Sequence, residues 1–396
     1  MERTFVERLG RETEGWVADG LISAEQAAAV RERYATPGEA PDEPRSRAAT
    51  ALALIGVIAV GFGVIGFFAA NWDGMSKPLR LALLTFAIAG SYAAGYHLRE
   101  RSGRMPRIGE AFYLLGVILF GAALFLVGQM YNVEAHDPLA LLIWAAAAVA
   151  VAITVRSHPI AGAALLIFTG WVGFEAGTAL EDSGDDAAGL AVLAVFYGGA
   201  LYGLGTTALE RIRAQWLTET GFDRGARKLG LLVGAAGVFV FTFSEAADGL
   251  ESGKLEGWLL VGLLAVAGLA LASAVALALG NRRSSLYEAA ALASAVGITL
   301  LAIFAGGSGD LYAILFNVLF AAVALGAIYA GYVTDEPWLV NVGVALVAID
   351  LIARYFDVFW SALPRSVGMI GAGVLILAIA YALERQRKQL LARMDA

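Results

Sequence analysis

The chain has 396 residues, of which 59% are hydrophobic and 16% are charged, and its mean hydropathy is +0.70. Soluble globular proteins contain about 45–50% apolar and about 25% charged residues, so this excess does not fit into one soluble core. Cysteine is absent, which excludes disulfides and cysteine-ligated metal sites. The net charge of −7 disfavours binding to nucleic acid. These numbers indicate a multi-pass membrane protein.

Residues 1–49 differ in composition from the rest of the chain, because they are charged, rich in proline and without an apolar run. A loose helical stripe of apolar residues ends at Asp19-Gly20. Ser23 and Gln26 then have the spacing of a capping box, which predicts the start of a second helix. We therefore predict a small cytosolic helical hairpin at residues 1–36 and a proline-rich linker at residues 37–49.

The remainder of the chain divides into long apolar stretches. A membrane-spanning helix needs about 20 mostly apolar residues. Twelve stretches satisfy this requirement: 50–70, 79–98, 110–131, 138–155, 159–180, 187–209, 228–246, 257–280, 286–306, 311–332, 338–356 and 364–383. Because these stretches are continuously apolar, they favour helices over alternating strands. We predict an all-α fold, a polytopic transmembrane bundle of about 12 spans at residues 50–384, followed by a basic cytosolic tail at residues 385–396.

The positive charges are distributed unevenly between the connections. The termini and the even-numbered connections hold 23 of the 28 lysines and arginines. By the positive-inside rule, this bias predicts that both termini lie in the cytoplasm. The connection at residues 334–336 departs from the pattern, because it is predicted to be cytoplasmic and contains no cation.

Glycine accounts for 47 residues, and several glycines within the predicted spans are four residues apart. Examples are Gly199 with Gly203 and Gly230 with Gly234. Small residues at this spacing allow helix backbones to approach closely in lipid. The pattern therefore predicts tight packing of these spans against their neighbours.

Ionisable side chains within a membrane are costly, so each is a candidate for a functional site. Asp350 follows Trp338 by twelve residues, about 18 Å along a helix, in the outer half of its predicted span. Arg354 lies one turn later on the same helical face and is predicted to pair with Asp350. Further candidates in the outer half or at the outer boundary are Glu175, Asn317 and Asp357. Glu110 and Glu288 are expected to be solvated at cytoplasmic ends.

Three polar clusters are predicted to lie on the outer side, at residues 71–80, 128–132 and 354–365. Their candidate site residues, besides those above, are Asn71, Trp72, Asp73, Arg80, Gln129, Asn132 and Arg365. One interpretation is ordinary polar loops with residues that anchor the interface. The other is an outward-opening cavity whose cations bind a small anionic or sugar-like group. No cofactor or metal is predicted, because the three histidines are far apart in the sequence.

Several motifs resemble a known group of proteins. The hairpin reads Trp16-Val17-Ala18-Asp19-Gly20-Leu21-Ile22-Ser23, and it is followed by Ala70-Asn71-Trp72-Asp73, Pro78-Leu79-Arg80 and Gln129-Met130-Tyr131-Asn132. With the run that begins at Glu110, these motifs resemble the bacterial domain-of-unknown-function family 2157, most specifically over residues 10–145. Residues 353–357 and 363–365 resemble the C-terminal part of its longer members. The resemblance implies an integral membrane protein of the bacterial cell envelope and no established activity.

These observations favour a carrier or a ligand-binding membrane protein with a polar site in the outer half of the bundle. The alternative is a non-transporting envelope scaffold or sensor that acts through its cytosolic N-terminal helical module. A membrane enzyme acting on a lipid or glycan is disfavoured, because no nucleophile motif, metal triad or catalytic histidine pair is visible. The predicted partners are the lipid bilayer and either a small anionic or sugar-like solute or a protein, with no nucleic acid.

Overall fold

The structure, a computed structural model, describes residues 12–17, 19–34, 75–131, 138–180, 186–208, 219–252, 257–280 and 284–359, together with isolated positions between 56 and 66 and between 371 and 377. Every regular element in this part of the chain is a helix, which confirms the all-α prediction. The chain divides into two compact units, residues 1–70 with 94–112 and residues 71–93 with 113–396.

The N-terminal region contains a short helix α1 at residues 12–17 and helix α2 at Ala24–Tyr34. Gly20 adopts a positive φ of 72° in the turn between them. The Ser23 amide donates to Gln26 Oε1 at 2.9 Å, and the Gln26 amide donates to Ser23 Oγ at 3.1 Å. The capping-box prediction is thus confirmed. The hairpin as an independent domain stays a prediction, and the predicted linker lies outside the described residues.

Eleven further α-helices follow in chain order among the residues that the structure describes. They are α3 (Lys77–Tyr96), α4 (Pro106–Met130), α5 (Leu139–Val155), α6 (His158–Leu180), α7 (Asp186–Gly203), α8 (Phe222–Val240), α9 (Ser244–Asp248), α10 (Gly257–Ala278), α11 (Ser285–Ala305), α12 (Gly309–Val333) and α13 (Pro337–Phe359). A π-helical turn extends α3 at His97–Arg101, and another extends α7 at Leu204–Ala208.

Within the described residues, eight helices are long and apolar enough to cross a membrane. They match the second, third, fifth, sixth and eighth to eleventh predicted spans. The fourth predicted span corresponds to α5, a shorter apolar helix of 17 residues. The first and twelfth predicted spans fall almost entirely outside the described residues, so the total of twelve stays a prediction.

The seventh predicted span, residues 228–246, is wrong in its bounds. Helix α8 begins at Phe222, with charged residues in its first two turns, and ends at Val240. Its last turn closes early because the Thr242 amide and hydroxyl both donate to the Phe239 carbonyl, at 3.0 and 2.7 Å. A side-chain donor that takes a helical carbonyl in this way competes with continued helix. The following residues form the short helix α9 instead.

Helices α7 and α8 pack closely through glycine. A Cβ atom on Gly198 of α7 would overlap the backbone of Gly234, and one on Gly230 of α8 would overlap the backbone of α7. On α7, Gly199 faces Leu292 of α11 and Gly203 faces α10. The predicted close packing is confirmed, and the glycines of α7 serve three different neighbouring helices.

The main core lies among α7, α8, α10, α11 and α12. Its largest fully buried side chains are phenylalanines, and two of them, Phe241 and Phe316, stack with ring centroids 5.1 Å apart. A second core cluster joins α4, α5 and α6, where the Trp144 indole donates to the Val117 carbonyl at 2.8 Å. The polar residues described below lie at the ends of the main core.

Substitution of Gly198 by valine is expected to destabilise the bundle by about 1–3 kcal/mol or more. The valine side chain would overlap backbone atoms of α8, which cannot move aside as a flexible side chain can. The measurement is thermal unfolding of the detergent-solubilised protein. Gly297→Val in α11 is the matched control, because an added Cβ there meets nothing within 4 Å. Equal melting temperatures for the two variants would contradict the packing described here.

Two polar clusters and a cavity

Arg354 lies near the end of α13 and is surrounded by polar partners. Its Nη2 donates to Thr242 Oγ1 at 2.7 Å, and its Nη1 donates to Asp357 Oδ2 at 3.0 Å. Its Nε lies 3.6 Å from Asp350 Oδ1, and the guanidinium carbon lies 4.4 Å from the ring centroid of Phe243. The predicted pairing of Arg354 with Asp350 is therefore present. The same guanidinium also ties α13 to the turn that follows α8.

Asn317 joins this group from α12. Its Nδ2 donates to the Thr242 carbonyl at 2.8 Å and to the Ala313 carbonyl at 2.7 Å. Because α8 has already ended, the Thr242 carbonyl lacks a helical donor, and a carbonyl at membrane depth requires a partner from the protein. We call the following residues the Arg354 cluster: Thr242, Asn317, Asp350, Arg354 and Asp357. Its contacts complete the hydrogen bonding of a shortened helix.

The structure gathers only part of the predicted outer site. Asp350, Arg354, Asp357 and Asn317 come together, whereas Glu175 is exposed on α6 and is not among the partners of Arg354. Arg80 is half-buried near the start of α3, and Gln129 is exposed near the end of α4. The predicted site residues outside the described part of the chain are Asn71, Trp72, Asp73, Asn132 and Arg365.

The start of α3 is in contact with the residue that follows α4. The Lys77 ammonium at the start of α3 lies 5.1 Å from the centroid of the Tyr131 ring, just after α4. This contact places the beginning of α3 beside the end of α4, as expected for successive spans that run in opposite directions. It agrees with the prediction that residues 71–80 and 128–132 share one side.

A second group of charges lies at the opposite end of α8. Arg227, in the second turn of α8, is only 7% exposed. Its Nη1 donates to both carboxylate oxygens of Glu336, at 2.8 and 2.6 Å, and its Nη2 lies 3.7 Å from Glu288 Oε1. Ser284 Oγ donates to Glu288 Oε1 at 2.6 Å, and the Trp338 indole donates to Glu336 at 3.2 Å. We call these five residues the Arg227 cluster.

Aromatic rings flank the Arg227 guanidinium. Its central carbon lies 5.7 Å from the ring centroid of Tyr202 and 5.2 Å from that of Trp338. Lys228 also lies over the Trp338 ring, at 5.7 Å. Glu336 belongs to the acidic connection that contains no cation of its own. Its cation is Arg227, supplied by a helix more than a hundred residues earlier in the chain.

The burial of Glu288 contradicts the expectation from the sequence. It was expected to be solvated, but it is only 8% exposed, and its Oε2 accepts no hydrogen bond. The burial follows from tertiary contacts, because α7, α8 and α12 cover the first turns of α11. The sequence contained one indication of the Arg227 cluster. The acidic connection at residues 334–336 is predicted to be cytoplasmic, yet it contains no cation.

A cavity of about 340 Å³ lies between α7, α8, α11 and α12. Its walls are mainly small and apolar, with Gly198, Gly230 and Gly234 on the α7–α8 side and Tyr202 and Glu288 as polar lining residues. The lining residues that are exposed at the surface are Tyr287, Ala290, Ser294 and Ala322. Because these belong to α11 and α12, the cavity opens between those two helices. None of the predicted outer-site residues that the structure describes lines it.

The side chains that could ligate a metal ion are dispersed over the described part of the chain. Among the residues that the structure describes, no three His, Asp or Glu side chains are grouped so that they could hold a metal ion. His97 lies in the π-helical turn after α3, and His158 begins α6. His136 falls outside the described residues.

Comparison with known proteins identifies one related family. Residues 14–161 match the family described as "Predicted membrane protein (DUF2157)", which confirms the resemblance for this region. No match is found among curated proteins or solved structures. The match over this region and the apolar helices of the described residues make the chain a predicted integral membrane protein, and those helices imply contact with a lipid bilayer. The resemblance of residues 353–357 and 363–365 stays a prediction.

Asn317→Leu is expected to lower the free energy of unfolding by about 1–3 kcal/mol, because the Thr242 carbonyl loses a buried donor. Thermal unfolding in detergent measures this loss. Glu175→Gln serves as the control, since Glu175 is exposed and its substitution is expected to change stability by less than about 0.5 kcal/mol. An unaltered melting temperature for Asn317→Leu would contradict the structural role assigned to the Arg354 cluster.

Arg227→Met is expected to destabilise the protein by about 3–5 kcal/mol, because it leaves two buried or half-buried carboxylates without their cation. The neighbouring variant Lys228→Met is the matched control, since Lys228 is exposed. Unfolding of both variants is followed by tryptophan fluorescence and by retention of folded protein on size exclusion. Equal stability of the two variants would show that the Arg227 cluster contributes little.

Proposed function

We propose that this protein binds an apolar ligand at membrane depth, in the cavity between α7, α8, α11 and α12. The observation that supports the proposal is the cavity itself. Its volume of about 340 Å³ lies within the range of about 300–1,000 Å³ that is typical of ligand sites. Such sites are mostly apolar and contain a few polar groups that orient the ligand. Here the polar lining groups include Tyr202 and Glu288.

We retain the ligand-binding function that the sequence favoured, but we place the ligand in the cavity and not at the outer loops. In the Arg354 cluster, Arg354 binds Asp357 and Thr242, and Asn317 binds the Thr242 carbonyl in the turn after α8. Carriage of a solute would require the cavity to open towards both faces of the membrane. Ligand binding requires only the opening between α11 and α12, so it is the function proposed.

The proposed setting is the bacterial plasma membrane, with both termini in the cytoplasm. The uneven distribution of lysine and arginine supports this orientation. The Arg227 cluster supports it further, because it supplies a cation to the acidic connection at residues 334–336. In this orientation the Arg227 cluster lies at the cytoplasmic end of the bundle and the Arg354 cluster at the outer end.

The proposed function is binding without catalysis. The scaffold or sensor alternative depends on the N-terminal helical module and stays a prediction. Deletion of residues 1–45 distinguishes this alternative from ligand binding. The deletion would abolish a scaffold or sensor function, but it would leave the cavity residues intact.

A neutral photoreactive probe tests the proposed site. We expect a dodecanol analogue with a diazirine on its chain to label the lining residues of α7, α8, α11 and α12 in protein held in lipid nanodiscs. Excess dodecanol should suppress this labelling. Gly326→Leu should reduce it severalfold, because an added Cβ on this lining residue enters open space and a longer side chain fills the cavity.

Gly297→Leu is the control for this experiment. Gly297 also has open space around its Cβ position, but it does not line the cavity. Its labelling should match that of the unmodified protein. Labelling spread evenly over lipid-facing residues, and equal in both variants, would overturn the proposed function.

A further inference from the structure

The cavity extends along only half the length of the helices α11 and α12 that form its mouth. On α11 its lining residues run from Tyr287, the third residue of the helix, to Ala295, the middle residue. On α12 they run from Leu319 to Ala330, about 16 Å of helical rise. The hydrocarbon core of a bilayer is about 30 Å thick, so each leaflet contributes about 15 Å. The cavity therefore has the length of one leaflet.

The mouth of the cavity lies in the same half of these two helices. Its exposed small residues are Ala290 and Ser294 on α11 and Ala322 on α12. In the other half, α11 and α12 are joined by a hydrogen bond, because the Tyr312 hydroxyl donates to the Leu301 carbonyl at 3.2 Å. The opening therefore faces the apolar part of a single leaflet.

Two exposed tyrosines lie at the end of this mouth. Tyr287 of α11 and Tyr329 of α12 are in edge-to-face contact, with ring centroids 5.1 Å apart. Exposed tyrosine is typical of the level of the lipid head groups, where the ring is in contact with apolar chains and the hydroxyl with water. In the proposed orientation this level belongs to the cytoplasmic leaflet, because α11 begins and α12 ends on the cytoplasmic side.

We propose that the cavity holds one acyl chain of a phospholipid from the cytoplasmic leaflet. The chain enters sideways between α11 and α12 and reaches the middle of the bilayer, while the head group stays outside, at the level of Tyr287 and Tyr329. This inference rests on the proposed function and names the ligand. A side opening suits a phospholipid, because one chain enters the bundle without burial of the polar head group, which would be costly.

Photoreactive phosphatidylcholines test where the chain lies. One probe carries a diazirine near the methyl end of one chain, and the other carries it near the carbonyl of that chain. Both are incorporated into nanodiscs with the full-length protein, and labelled residues are identified by mass spectrometry. The methyl-end probe should label Val195 and Val238 at the deep end of the cavity, and the carbonyl-end probe should label Tyr202 at its cytoplasmic end. These three residues are buried, so the lipid around the bundle does not reach them.

Variants that obstruct the mouth give a second measurement. Ala322→Trp should reduce labelling of these buried residues severalfold, because a large ring then fills the gap between α11 and α12. Ala321→Trp is the matched control, since Ala321 is exposed on the same helix but does not line the cavity, and its labelling should match that of the unmodified protein. If Ala322→Trp does not fold, Ser294→Trp and its exposed neighbour variant Ala293→Trp make the same comparison on α11.

The dodecanol analogue separates this inference from the proposed function. If it labels the cavity and the phospholipid probes do not, the acyl chain is overturned and the proposed function stands. If neither kind of probe labels the buried lining residues, both are overturned. Phospholipid labelling that is equal in Ala322→Trp and Ala321→Trp, or a carbonyl-end probe that does not label Tyr202, overturns the entry of a chain from the cytoplasmic leaflet.

Discussion

Helices α7 and α8 approach each other so closely at Gly198 and Gly234 that no side chain fits between their backbones. This contact determines much of what surrounds it. It places Tyr202 of α7 beside Arg227 of α8, with the ring centroid 5.7 Å from the guanidinium carbon. Gly198, Gly230 and Gly234 also line the cavity, so the same glycines belong to the contact between the helices and to the cavity wall.

The two ends of α8 satisfy two different requirements of a membrane protein. At residue 227 a buried cation needs anions, and α11 and the start of α13 supply them. At residue 242, about 22 Å further along the helical rise, a backbone carbonyl needs a donor, and Asn317 supplies it. Polar residues inside a membrane are functional candidates by default. Here the contacts of the Arg354 cluster with Thr242 are explained by the early end of α8.

The family match and the proposed site occupy different parts of the chain. The match covers residues 14–161, and the cavity, the Arg227 cluster and the Arg354 cluster all lie beyond residue 190. The family description therefore agrees with the membrane character of the protein and does not concern the cavity.

Local patterns in the sequence determined the features that depend on neighbours along the chain. The capping box at Ser23 and Gln26, the pairing of Asp350 with Arg354 and eight of the spans all follow from spacings of a few residues or from a continuous apolar run. The tertiary structure alone decided that Arg227 pairs with Glu336, that Glu288 is buried and that α8 ends where Asn317 can reach it. Arg227 and Glu336 are 109 positions apart, and Asn317 and Thr242 are 75 positions apart. Such residues become neighbours only after the bundle has assembled. No spacing in a single sequence records which helix ends become neighbours, and the site is built from such neighbours.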